Sequence, residues 1–124
     1  MNHEEELIKA FFLPTKRQRY LDFIAKPTTR RKFLRELGHF KHLDPRYARE
    51  IRLSPSGLES VLKGLRVPDS CWVISEDSEL DGRLMLVSDV LIELGRHLGT
   101  FLSFVPGKLA YFEDEDGAWI LQRP

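Results

Sequence analysis

Apolar and polar residues change their spacing partway along the 124 residues. In the first half the apolar positions recur at helical intervals, and from Cys71 onward they come in short runs with β-branched members, as strands do. Leu7, Ile8, Phe11 and Phe12 make one apolar face over Glu4 to Leu13. Glu4, Glu5 and Glu6 suit the positive end of that helix's dipole, and Pro14 stops it. Thr15-Lys16-Arg17-Gln18 reads as a capping box opening a second helix, which buries Tyr20, Leu21, Phe23 and Ile24 and ends before Pro27. Thr28 or Thr29 caps a third, with Phe33, Leu34, Leu37 and Phe40 on one face and Arg30, Arg31, Lys32 and Arg35 on the other. Asp44-Pro45 supplies N-cap and N1 of a fourth, and Ser56-Gly57-Leu58-Glu59 is a second capping box, for a fifth helix using Leu58, Val61, Leu62 and Leu65.

Strand signals then take over. Cys71 to Ser75 and Arg83 to Val87 read as strands either side of an acidic, turn-rich tract. Ser88 caps a helix with Val90, Leu91, Leu94 and Leu98 inward, closed by Gly99. Thr100 to Val105, Leu109 to Phe112 and Ala118 to Leu121 form an antiparallel meander. Pro106-Gly107 makes a type II turn, and Glu113 to Gly117 makes an acidic loop. The expected fold class is therefore α+β: about five short N-terminal helices followed by a small, mostly antiparallel sheet with one packed helix. An amphipathic sheet needs a cover, so residues 1–124 are read as a single domain.

Charge alters the functional picture more than composition does. The totals balance, Lys+Arg 19 against Asp+Glu 19, yet residues 1–66 carry 15 basic and 8 acidic side chains while residues 67–124 carry 4 and 11. A basic helical half and an acidic α/β half, net +7 and −7, either neutralise each other or present an electrostatic surface to a partner. At 42% hydrophobic residues the chain can fold, and no apolar run approaches the ~20 residues of a bilayer span, so no membrane partner is expected. Asn2 to Glu6 is acidic, unlike a secretory leader, and the single Cys71 fits a reducing compartment, so the protein is expected to be soluble and cytoplasmic.

One stretch carries a resemblance. With Ala48 as the small residue where two helices cross, Leu53, Leu58 and Val61 fall at the offsets where a DNA-reading helix pair needs its core contacts. Asp44 to Gly64 thus resembles the repressor-type helix-turn-helix, with Arg52 at the turn position where such motifs usually place Gly. The resemblance implies duplex binding, with Arg49, Arg52, Ser56, Ser60 and Lys63 as candidate contacts and Arg30 and Arg31 as further phosphate ligands.

Other constellations are sparser. Asp77, Glu79 and Asp81 alternate before Gly82, as ligands do in calcium loops, but Ser88 stands where the bidentate carboxylate belongs. His39 and His42 have a spacing that can share a helix face, with no third zinc ligand tied to them by a motif. Cys71 opens an apolar strand and reads as an inert buried thiol. With no nucleophile elbow and no phosphate loop, the expectation is a small non-enzymatic binding or regulatory protein. It would need no cofactor and act through a protein partner or as a homo-oligomer. A DNA-binding regulator and a metal-dependent or thiol enzyme are the alternatives.

Overall fold

Alternate residues of the C-terminal strands are claimed by two different cores, and this decides the architecture. Phe101, Ala110, Phe112 and Leu121 join one buried cluster, and Leu102, Phe104, Leu109, Tyr111, Ala118 and Ile120 join the other. A strand buried on both faces needs a layer on each side. The computed structural model, which describes residues 2–52, 57–95 and 98–124, supplies both.

The elements in chain order are α1 (His3–Phe11), α2 (Arg17–Ile24), α3 (Pro27–Glu36), β1 (Ala48–Ile51), α4 (Gly57–Gly64), β2 (Ser70–Ser75), β3 (Arg83–Leu86), α5 (Val87–Glu93), β4 (Thr100–Val105), β5 (Leu109–Asp114) and β6 (Gly117–Gln122). The strands form one six-stranded sheet in the order β1-β6-β5-β4-β2-β3, with every pair antiparallel. The fold is α+β, as the spacing predicts.

The first core is aromatic. Leu7, Ile8, Phe11 and Phe12 from α1, Tyr20 from α2 and Phe33 from α3 press on the sheet through Ile74, Phe101 and Phe112, with Phe40 closing the group. Phe12 lies 4.7 Å from Phe40 and 5.1 Å from Tyr20, centroid to centroid. Each such fully buried side chain contributes about 1.5–3 kcal/mol of hydrophobic stabilisation. The second core packs Leu62 of α4 and Val87 and Val90 of α5 against Cys71, Val73, Leu102 and Tyr111. Both cores draw on residues from the basic and the acidic half of the chain.

The meander follows expectation. Gly107 has a φ of 70° and the Lys108 amide donates to the Val105 carbonyl at 2.9 Å, which is the type II turn that Pro106-Gly107 announces. Glu115 and Asp116 form the exposed tip of the β5–β6 hairpin, where Asp114 Oδ1 accepts from the Asp116 and Gly117 amides.

The fourth helix is corrected. Asp44-Pro45 begins a turn: Asp44 Oδ1 accepts from the Arg46 amide at 3.1 Å and the Asp44 carbonyl accepts from the Tyr47 amide at 3.1 Å. The chain then enters β1, pairing Ala48 with Leu121 and Ile51 with Ala118. Without β1, β6 would present a bare edge, and that pairing overrides the helix propensity of Ala48, Arg49 and Glu50.

Several caps also differ. Asn2 caps α1, accepting from the Glu4 amide at 2.9 Å. Lys16 rather than Thr15 precedes α2, behind a 3-10 turn at Pro14–Lys16. Pro27 opens α3, placing Thr28 and Thr29 inside its first turn, where Thr29 Oγ1 donates to the Phe23 carbonyl at 2.8 Å. Leu86 is the N-cap of α5, which ends at Glu93 and leaves Leu98 and Gly99 beyond it. The Ser56 cap proposed for α4 lies outside the described residues.

Candidate functional site

The helix-turn-helix reading loses its first helix, because Ala48 to Ile51 is a strand. Arg49 is exposed on β1 and Arg52 is exposed just after it. Ser60 and Lys63 are exposed on α4, where Lys63 pairs with Glu59 at 3.5 Å, and Ser56 lies outside the described residues. These side chains belong to a strand and to a helix on the other side of residues 53–56, so among the described residues the motif's first helix is absent.

Arg30, expected as a phosphate ligand, is engaged by carboxylates of the chain itself. Its guanidinium is bidentate to the Glu4 carboxylate and also binds Asp81, at 3.0 Å to Oδ1. Trp72 Nε1 donates to Glu4 Oε2 at 2.8 Å, which completes a half-buried cluster joining α1, α3 and the β2–β3 loop. Arg31 is exposed and lines the neighbouring cleft of about 490 Å³ between α3 and that loop.

That cluster also accounts for the proposed calcium loop. The Asp81 carboxylate faces the Arg30 guanidinium and accepts from the Ser75 amide at 3.0 Å. Asp77 Oδ1 accepts from the Glu79 amide at 3.0 Å, and Gly82, at φ 71°, turns the chain into β3. Asp77, Glu79 and Asp81 therefore shape a hairpin braced by an arginine. Among the described residues, the donors that converge within 4.8 Å are instead His39, Glu115 and Asp116, all exposed. Glu115 lies 2.7 Å from His39 Nε2 and Asp116 3.6 Å from Nδ1, which is the geometry of an imidazole between two carboxylates.

Cys71 is fully buried in the second core, and burial pushes its thiol up to about 12. His39 and His42 do not share a helix face: a 3-10 turn ends at His39, and the chain is extended from Phe40.

Two features that sequence reasoning missed have the geometry of working surfaces. The first is the β3 edge. Among the described residues, this strand ends the sheet and pairs with β2 alone. Leu84 stands opposite Trp72 and Leu86 opposite Ser70, so both leucines lie on the face covered by α1 to α3. The cover stops at Trp72, where the His3 ring stacks at 6.3 Å, and leaves Leu84 62% and Leu86 53% exposed. The other edge, β1, presents exposed Arg49 and Glu50.

The second is a cleft of about 370 Å³ lined by Arg19, Tyr20, Arg35, Glu36, His39, Phe40, Lys41 and His42. Its floor is a hydrogen-bonded chain. The buried Tyr20 hydroxyl donates to Glu36 Oε2 at 3.0 Å and sits 2.6 Å from His42 Nδ1. A phenol has one proton, so with that proton donated to Glu36 the imidazole N–H is on Nδ1, donating to Tyr20. His42 Nε2 then carries a lone pair with no partner among the described residues. Backbone contacts hold this register: the Leu13 amide donates to the His42 carbonyl at 2.8 Å and the Asp44 amide to the Phe11 carbonyl at 2.7 Å.

Electrostatics follow from the packing. Burial and then the Glu36 carboxylate push the Tyr20 phenol far up. Burial, Lys16 and Arg19 hold the His42 imidazole below its ordinary value, so it is neutral at neutral pH. No protein family, no curated protein and no solved structure matches the chain.

Proposed function

We propose that the protein is a small non-enzymatic binding protein that works through protein–protein contact, and that the β3 edge of one copy joins the same edge of a second. The observation that carries this reading is the exposure of Leu84 and Leu86 on a terminal strand. Sheet edges that remain solitary are blunted by charge or covered; β1 bears charge, and β3 offers leucines. Antiparallel pairing about a twofold at Met85 sets Leu84 against Leu86 of the second copy. It also sets Arg83 opposite Val87, the first residue of α5, whose first turn carries Asp89.

A buried lone thiol suits a reducing compartment, which supports a cytoplasmic setting for this activity. No helix among the described residues is long and apolar enough to cross a membrane. Among the described residues, the nucleic-acid alternative retains exposed cations such as Arg31, Lys32 and Arg35, an electrostatic surface without a reading element.

Sedimentation velocity across the micromolar range tests the reading. The expected result is a dimer, with a Leu84→Lys/Leu86→Lys variant monomeric and unchanged in circular dichroism. A wild-type chain that stays monomeric at every concentration, or a variant that still dimerises, overturns it.

A further inference from the structure

We propose that the cleft floored by Tyr20, Glu36 and His42 binds a small protonated oxyanion, of which hydrogen phosphate is the type. Three features of the cleft point to that chemistry.

Positive charge comes first. Arg35 and Lys41 line the cleft and make no ion pair among the described residues, whereas the charge of Glu36 is met by Arg19 at 3.4 Å and by the Tyr20 hydroxyl. The cleft thus has cations to spare, and its acid is already engaged.

A hydrogen-bond acceptor comes second. With Nδ1–H committed to Tyr20, His42 offers only its Nε2 lone pair. A fully deprotonated anion such as sulfate has nothing to donate to it. Hydrogen phosphate carries both oxygens for Arg35 and Lys41 and a P–OH for Nε2, so its donor and acceptors match the uncommitted groups that line the cleft.

The rim comes third. His39 lines the cleft and is held against Glu115 and Asp116, which puts two carboxylates at one side of the mouth. Those carboxylates oppose an extended polyanion and leave room for a compact one, which favours a small phosphate over a nucleic-acid backbone. The site lies away from the β3 edge and does not depend on the pairing proposed there.

The test uses the full chain and follows the His42 ring by long-range ¹H–¹⁵N NMR at neutral pH while inorganic phosphate or sulfate is added. Phosphate is expected to shift the Nε2 resonance saturably, with affinity about tenfold above that of sulfate, the weight of one charge-assisted hydrogen bond. Arg35 and Lys41 are exposed, so an Arg35→Ala/Lys41→Ala variant keeps the fold. In it the phosphate response is expected to weaken by about tenfold or more, as two charge contacts are lost. Equal responses to both anions, no saturable response to phosphate, or an unchanged affinity in the variant would each overturn the proposal.

Discussion

Gly99 lies against the main chain of Leu37 so closely that a β-carbon on it would overlap the Leu37 carbonyl and stand 2.5 Å from the Leu37 Cβ. The contact fastens the turn after α3 to the start of β4. The Gly99 carbonyl also accepts from the Glu76 amide at 3.0 Å, and the Gly99 amide donates back to Glu76 Oε1 at 2.7 Å. Gly99→Ala is expected to destabilise the fold by about 1–3 kcal/mol or more, because the clash is with main chain that cannot swing aside. Gly38→Ala meets chiefly the Glu76 carboxylate, at 2.9 Å, and is expected to be milder. Urea unfolding of the two variants ranks them, and an equal loss would contradict the assignment.

Removing Arg30 leaves two carboxylates facing each other. Glu4 and Asp81 each keep 13% side-chain exposure, so neither is fully rehydrated when the guanidinium goes. Arg30→Met is expected to cost about 3–5 kcal/mol, far more than an exposed cation such as Arg31. Thermal unfolding of Arg30→Met beside Arg31→Met measures the difference, and parity between them would place Arg30 at the surface.

Stability falls on mild acidification through His42. Its folded value is lowered, so the unfolded chain takes up the proton first. The contribution is fully present above the unfolded value of about 6.5 and is lost as pH falls from there through the lowered folded value. His3, also lowered by burial, adds in the same direction. A second loss comes at lower pH, where hydrogen bonding from Arg46 holds the Asp44 carboxyl below its usual range; stability present above about pH 4 disappears as Asp44 is protonated. Denaturant unfolding as a function of pH is expected to show both steps, with the first reduced in His42→Gln. An unchanged first step in that variant would show that His42 is not its source.

The Cys71 thiol, pushed up to about 12, has almost no thiolate at neutral pH and no solvent path. An aromatic disulfide reagent is expected to react with it at the rate of global unfolding and at once in denaturant. Rapid labelling of the native protein would revive the thiol-enzyme alternative.

Local signals were legible in the sequence where they agreed with the tertiary contacts. Pro106-Gly107 and the short apolar runs between Thr100 and Leu121 place the meander, and Leu58, Val61 and Leu62 place α4. β1 was not legible, since Asp44-Pro45 opens a turn or a helix equally well and only the edge of β6 decides between them. The Arg30 cluster was hidden because its partners lie 26 and 51 residues away, and by spacing alone Arg30 belongs to an exposed basic face. The His42 cleft was hidden for a related reason: Tyr20 sits at core spacing, and nothing local says that its hydroxyl meets a histidine 22 residues on.

The two ends of the sheet are chemically unequal, and this limits stoichiometry. A fibre needs each added subunit to expose a fresh edge as adhesive as the one it has just used. Here a pairing through β3 consumes the leucine-bearing edge of both chains, and what then faces solvent at either end is β1 with Arg49 and Glu50. Assembly by this route terminates at two subunits and twelve strands, so a protein carrying exposed leucines on a terminal strand is guarded against open-ended polymerisation by the charge on its opposite edge.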